Sequence, residues 1–286
     1  MTTIKHILFP YDFSEQGRLA APFVRALACR FGAKITLAGV VPPMWTAPPM
    51  GMPPMIGINT PEMQHDLETR LQDALTSEFA PLNVERVAVS GDPALEIVEL
   101  ANTLEVDLIM MPTHGFGLFR SMLIGSVTAK VLHDTNCPVW TATHAEEQRS
   151  VPVPRTVLCA VDGSPETVSL MRWAAGFCKT IGAALEMVHV VPPISDWLAL
   201  PTERELQEAV RAEARAQIEA QQQETGVQAP LRVVVGKIAE TICEEARQEG
   251  ADLILIGRGS VQSTLGRLRT HAYAIVRQSP CPVLSV

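Results

Sequence analysis

Two short segments separated by nine residues form the pattern best suited to chemistry: Pro112-Thr113-His114-Gly115, then Gly125-Ser126-Val127-Thr128. Glycine lets backbone come close to a ligand. A Gly-Ser pair that opens a helix offers free N–H groups and the positive end of the helix dipole, both suited to phosphate. The Ser126 hydroxyl adds a donor. The same spacing also describes an ordinary strand-to-helix loop. Asp12 is the second candidate, placed directly after a short apolar run. A carboxylate there can accept from ribose hydroxyls or help hold Mg2+. It can equally shape the turn before a helix that Ser14 caps.

The elements needed to bring these residues together can be read along the chain. Residues 4–10 read as a strand, and a helix runs from the Ser14 cap to about Phe31, where Gly32 stops it. Residues 34–41 form the next strand, and Pro61 opens a second helix. Residues 84–89 and 106–111 are strands, with a helix over 93–104 between them. A last helix starts near Gly125 and ends before Asn136, and residues 138–141 close as a strand. Strands alternating with helices imply parallel β-α-β units in a doubly wound open sheet. Ligands of such sheets bind beyond the carboxyl ends of the strands, at the point where strand order reverses.

This order occurs twice. Asp12 and Asp162, Gly32 and Gly182, and Val41-Pro42-Pro43 and Val191-Pro192-Pro193 all share one offset of 150 residues (162 − 12). Val106-Asp107-Leu108-Ile109 then matches Ala251-Asp252-Leu253-Ile254, and both halves end on Cys-Pro-Val. Two copies suit a tandem duplication better than a solenoid. The expected domains are 1–145 and 153–286, with a proline-bearing linker in 145–154. In the second copy Thr202 and Glu205 have capping-box spacing. Leu206, Val210, Ala214 and Ile218 follow on one face, and Gly226 ends what reads as a plain covering helix.

Composition narrows the function classes. The 47% hydrophobic content suffices for buried cores, and the low aromatic share of 5% fits aliphatic parallel strands. A net charge of −8 without a basic run argues against nucleic acid and anionic membranes. The start of the chain reads as a strand and not as a signal peptide, and no apolar run is long enough to span a membrane, so the expectation is a cytoplasmic chain. The six cysteines form no Cys-x-x-Cys pair and read as small buried hydrophobes. No P-loop, Gly-x-Ser-x-Gly elbow or His-Glu-x-x-His motif is present.

The segments Pro-Tyr-Asp-Phe-Ser at 10–14, Val-Asp-Gly-Ser at 161–164, Thr-His-Gly at 113–115 with Gly-Ser-Val at 125–127, and the Cys-Pro-Val ends resemble the universal stress protein family. The resemblance covers both halves. It implies a stress-response regulatory role and, in the first copy, an adenine nucleotide, ATP foremost, with Mg2+ possible through Asp12. Carried over by position, Asp12 and Val40 flank the adenosine, with Pro10 and Tyr11 beside them. Met111, His114, Gly115, Gly125, Ser126 and Val127 surround ribose and phosphates. The ATP-binding branch has Gly-x-x-Gly, nine residues, then Gly-Ser/Thr. Pro112 stands where its first glycine belongs, which removes an N–H donor or narrows the pocket. In the second copy Ser260 replaces a glycine and Arg269-Thr270 replaces Gly-Ser, so that site reads as degenerate. Arg258, Arg267 and Arg269 crowd its loop, as phosphate ligands or as surface or interdomain ion pairs.

Segment 42–61 holds seven prolines, four methionines and Trp45. It excludes a helix or central strand. Its readings are a lid or disordered loop, a contact surface, or a thioether Cu(I) site. The family likeness further implies pairing of the two copies within one chain, with a homodimer possible. Two alternatives to the regulatory reading stand: a non-nucleotide interaction protein working through the Met/Pro loop, and a slow Mg2+-dependent ATP hydrolase.

Overall fold

A computed structural model describes residues 2–43, 45–46, 55–56, 61–113, 124–142, 152–194, 201–258 and 267–286. Their contacts separate two units, Ile4–Val139 and Met1–Thr3 with Trp140–Val286. In the first, β1 (His6–Pro10), α1 (Glu15–Phe31) and β2 (Lys34–Val41) are followed by the two-residue strands β3 (Trp45–Thr46) and β4 (Met55–Ile56). Helices α2 (Pro61–Asp73) and α3 (Thr76–Phe79), strand β5 (Val84–Ser90), helix α4 (Pro93–Thr103), strand β6 (Leu108–Pro112) and helix α5 (Ser126–Asp134) come next. Strand β7 (Val139–Ala142) crosses the division between the units. The second unit repeats the order: β8 (Thr156–Ala160), α6 (Glu166–Ile181), β9 (Ala184–Val191), α7 (Pro201–Thr225), β10 (Leu231–Val235), α8 (Ile238–Gln248), β11 (Leu253–Ile256), α9 (Arg267–Gln278) and β12 (Val283–Ser285).

Strand order is β6-β1-β2-β5 in the first unit and β12-β11-β8-β9-β10 in the second. Neighbours within each run are parallel; Ile7 pairs with Ile35 and with Leu108, for example. Order therefore reverses between β1 and β6, and again between β8 and β11. Helices cover both faces. A Cβ on Gly39 would lie 3.0 Å from Leu67 and Leu71 of α2. Its neighbours Ala38 and Val40 instead join Ala94, Ile97 and Ala101 of α4 and Val131 of α5 in one apolar cluster. This alternation is the period of a strand buried on both faces.

The helix signals act as their chemistry requires. Ser14 accepts from the Gly17 N–H at 3.1 Å. Gly32 and Gly182 end α1 and α6 at φ 66° and 76°, where a side chain would be strained. The proline-rich stretch contains the antiparallel β3–β4 pair; the rest of it lies outside the described residues, as does most of the expected linker. Helix α7 begins at Pro201, ahead of the expected Thr202 cap, and Leu206 at the head of its apolar stripe is exposed while Ile218 is buried.

A duplicated aspartate ties the strands at the opposite edge. Asp107 Oδ2 accepts from the backbone N–H groups of Lys5 and His6 at 2.7 and 3.0 Å. Asp252 Oδ2 accepts from Arg155 and Thr156 at 2.9 and 3.2 Å. His6 is buried there, its ring donating to the Leu104 carbonyl and bonded to Thr36, and burial lowers its pKa. Charge-assisted bonds to otherwise orphaned strand-end donors are among the stronger single interactions. Asp107→Ala and Asp252→Ala should each lower the unfolding free energy by about 2 kcal/mol, read from the urea midpoint at unchanged slope.

Cys137, Cys159, Cys178, Cys243 and Cys281 are buried, and Cys29 is exposed. Burial pushes the Cys243 thiol up to about 11 and Cys178 to about 12. Buried thiols held protonated are inert. A small thiol reagent should therefore titrate Cys29 alone in the native chain and the remaining five only after unfolding.

Candidate functional site

The reversal of strand order between β1 and β6 separates the loops that leave their carboxyl ends. Asp12 stands exposed on the first of these loops. Its Oδ1 accepts from the Ser14 N–H at 2.9 Å, the turn-forming role its position suggested. This bond uses one carboxylate oxygen and fixes the group, and Oδ2 has no partner among the described residues.

Val40, Met111 and Val127 come from β2, β6 and α5, yet all three belong to or pack against the single cluster that holds Ala38, Ala94 and Ile97. Met111 is buried, and Val40 and Val127 are half-buried, as is Pro10 at the end of β1. Together they make an apolar floor at the carboxyl edge. Tyr11 is placed differently. Its backbone N–H donates to Ala38 at 2.8 Å, but its ring turns to the other face. There it lies 5.9 Å from the Phe9 ring and would meet a Cβ on Gly17. Burial raises its pKa. Only its backbone borders the crevice.

Helix α5 opens at Ser126 behind Gly125. Gly125 has φ −57° and ψ 145°, a conformation open to any residue, so its backbone does not require glycine. What the position lacks is a capping side chain: glycine has none, no described side chain bonds the first N–H groups of α5, and no acid lies in its first turn. By contrast, α1 has Ser14 and Glu15, and α4 has Asp92 and Glu96. Unmet N–H groups and an uncompensated dipole favour an anion. The start of α5 is held in place by two bonds: Gly125 N–H donates to the Thr113 carbonyl at 2.9 Å, and Thr128 Oγ1 to the Pro112 carbonyl at 3.1 Å. Pro112 thus closes β6 and contributes its carbonyl, an acceptor that proline retains. His114 and Gly115 lie outside the described residues.

Composition and motif reasoning missed the packing behind Asp12. Phe13 holds φ 63°, where the second copy has Gly163 at 77°. The Phe13 ring lies 5.0 Å from that of Tyr11, and Arg70 of α2 stacks its guanidinium 4.2 Å from the Phe13 centroid. The ring contacts offset a left-handed backbone that costs an L-residue roughly 1–2 kcal/mol. In the second copy the amides of Gln217 and Gln221 on α7 donate to the Gly163 carbonyl at 2.8 and 3.1 Å. That helix is therefore more than a cover. Phe13→Ala should be less stable than Phe13→Gly by about 1 kcal/mol, the reverse of the usual Ala–Gly order, as read by thermal or chemical unfolding.

Among the described residues no group of three or more His, Cys, Asp or Glu could hold a metal ion. Nor is any described helix long and apolar enough to cross a membrane.

Comparison with known proteins agrees with this arrangement. The model of the Universal stress protein family matches residues 3–142 and again 154–286. A universal stress protein of Mycolicibacterium smegmatis is 25% identical over 95% of this chain and 96% of its own length. One from Thermus aquaticus is 35% identical over 46% of this chain and 98% of its own. The crystal structure of a universal stress protein from Archaeoglobus fulgidus shares the fold, with a TM-score of 0.68 at 21% identity over 99% of this chain and 96% of that one.

Proposed function

The chain belongs to the universal stress protein family, and from that premise we propose that its first copy binds an adenine nucleotide, ATP foremost, and acts through ligand-dependent conformation or partner binding. The observation that carries this reading is the convergence at one reversal of strand order. There, among the described residues, stand a fixed carboxylate whose second oxygen has no partner, an apolar floor and a helix start without a capping side chain. The chemistry of each matches one part of a nucleotide. Asp12 Oδ2 accepts from ribose hydroxyls. Val40, Met111 and Val127 lie against the base and sugar. The N–H groups of Ser126 and Val127 take phosphate oxygens, the Gly125 N–H being engaged by the Thr113 carbonyl. His114 and Gly115 complete the phosphate side on the strength of the family pattern.

Asp12 offers one carboxylate, which suits a Mg2+ that arrives on phosphates and keeps most of its waters better than a resident ion. On this proposal the protein is a regulator rather than a catalyst. The bound nucleotide would change what the surface presents to a partner.

Released small molecules from denatured, freshly purified protein should include an adenine nucleotide. ATP·Mg2+ should bind at about one per chain by calorimetry and raise the melting temperature, since a ligand of the folded state alone must do so. Gly125→Asp should abolish both effects. The φ and ψ at Gly125 suit aspartate, which is itself a good helix cap, so this variant should fold at least as well as the parent. A well-folded Gly125→Asp chain that still binds ATP with parental affinity would remove the anion role of α5.

A further inference from the structure

The second copy has lost the Gly-Ser opening, yet its crevice is open. Between the carboxyl ends of β8 and β11 lies a cavity of about 230 Å3. Its walls are aliphatic: Val161, Leu170, Ile238, Ile242, Ile256 and Ile275. A cavity of about 150 Å3 with such walls accepts benzene, and drug-sized molecules need roughly 300 Å3 or more. The space therefore suits one or two fused rings and is too small to enclose a nucleoside triphosphate.

The polar groups around it favour a neutral donor. Glu166, where the first copy has Gln16, lines the cavity and adds a second carboxylate to that of Asp162, and the pair opposes an anion. Asp162 is fixed by the Ser164 N–H at 3.0 Å and by the hydroxyl of buried Thr167 at 2.9 Å. His189 also lines the cavity, and its Nδ1 lies 2.8 Å from the Val161 carbonyl. A carbonyl only accepts, so Nδ1 carries the proton. In the neutral ring Nε2 is then an acceptor, and it has no partner among the described residues. The anion-binding end of the last helix has also moved. Helix α9 begins at Arg267, three residues ahead of Thr270, the counterpart of Ser126. At 1.5 Å per residue α9 starts about 4–5 Å further along the chain's approach than α5 does.

We propose that the second copy binds a small uncharged aromatic molecule of one or two rings that carries an N–H or O–H donor, received by His189 Nε2. The chain then accommodates two unlike ligands on one duplicated scaffold. This inference does not depend on nucleotide binding in the first copy.

The test titrates the full chain with indole and phenol by calorimetry and by saturation-transfer NMR. Indene, which has the shape of indole without its donor, serves as the control. Saturable binding of indole or phenol is expected, with indene weaker by about tenfold, the equivalent of one hydrogen bond. Ala272→Phe, which projects a ring into the cavity, should abolish the binding, and His189→Leu should reduce indole to the level of indene. The comparison of ligands on the parent chain holds even if either variant folds poorly. No saturable binding of indole or phenol, or indene binding as tightly as indole, would overturn the proposal. So would displacement of indole by ATP from the Gly125→Asp chain, because that would put a nucleotide in the second crevice. Failure of ATP to bind the first copy would leave the indole result standing and count only against the nucleotide reading.

Discussion

Parallel strands deliver all their carboxyl ends to one edge of a sheet, and each return to the next strand must cross a face in the right-handed sense. That constraint governs both copies. Moving outward from β1 through β2 to β5 places α1 and α2 on one face. Reversing to β6 places α4 and α5 on the other. The loops after β1 and β6 consequently part, and no local sequence preference is needed to open the gap. Val40, Met111 and Val127 meet in one cluster because Gly39 turns to Leu67 and Leu71 while its neighbours turn the other way.

Where a residue's role follows from backbone periodicity or from a helix end, the sequence was a sufficient guide. Gly32 and Gly182 lie in the left-handed region, Ser14 caps α1, and the doubly wound order follows from strand–helix alternation. Asp12 kept both of its readings, since its turn bond leaves an oxygen over. Roles set by residues distant in the chain were not legible. Asp107 bonds residues about a hundred positions away, and nothing around it signals a strand clamp. Tyr11 shares a motif with Asp12, but its ring follows Phe9, two residues before it, to the face away from the Ala38 cluster. The short α3 escaped because Phe79 is fixed by packing on Phe9, not by a propensity of its own segment.

The two copies solve one local problem by different means. The residue after the aspartate of each copy must adopt a positive φ. The first copy uses phenylalanine there and recovers its cost through Tyr11 and Arg70. The second uses glycine, whose backbone needs no such recovery, and holds the loop through its carbonyl with Gln217 and Gln221. The second device needs a long helix to reach the loop, and α7 runs for 25 residues where α2 runs for 13. Differences in helix length and in loop composition thus belong to the same adjustment.

The uncapped start of α5 sets two selective pressures against each other at a single residue. Aspartate or serine at position 125 would bond the first N–H groups of α5 and stabilise the helix by about 0.3 kcal/mol, while filling the place an anion would take. Evolution toward heat resistance alone would erase that place early, by a substitution that improves the fold. Keeping glycine there forgoes a small gain in stability and leaves the place open to an anion.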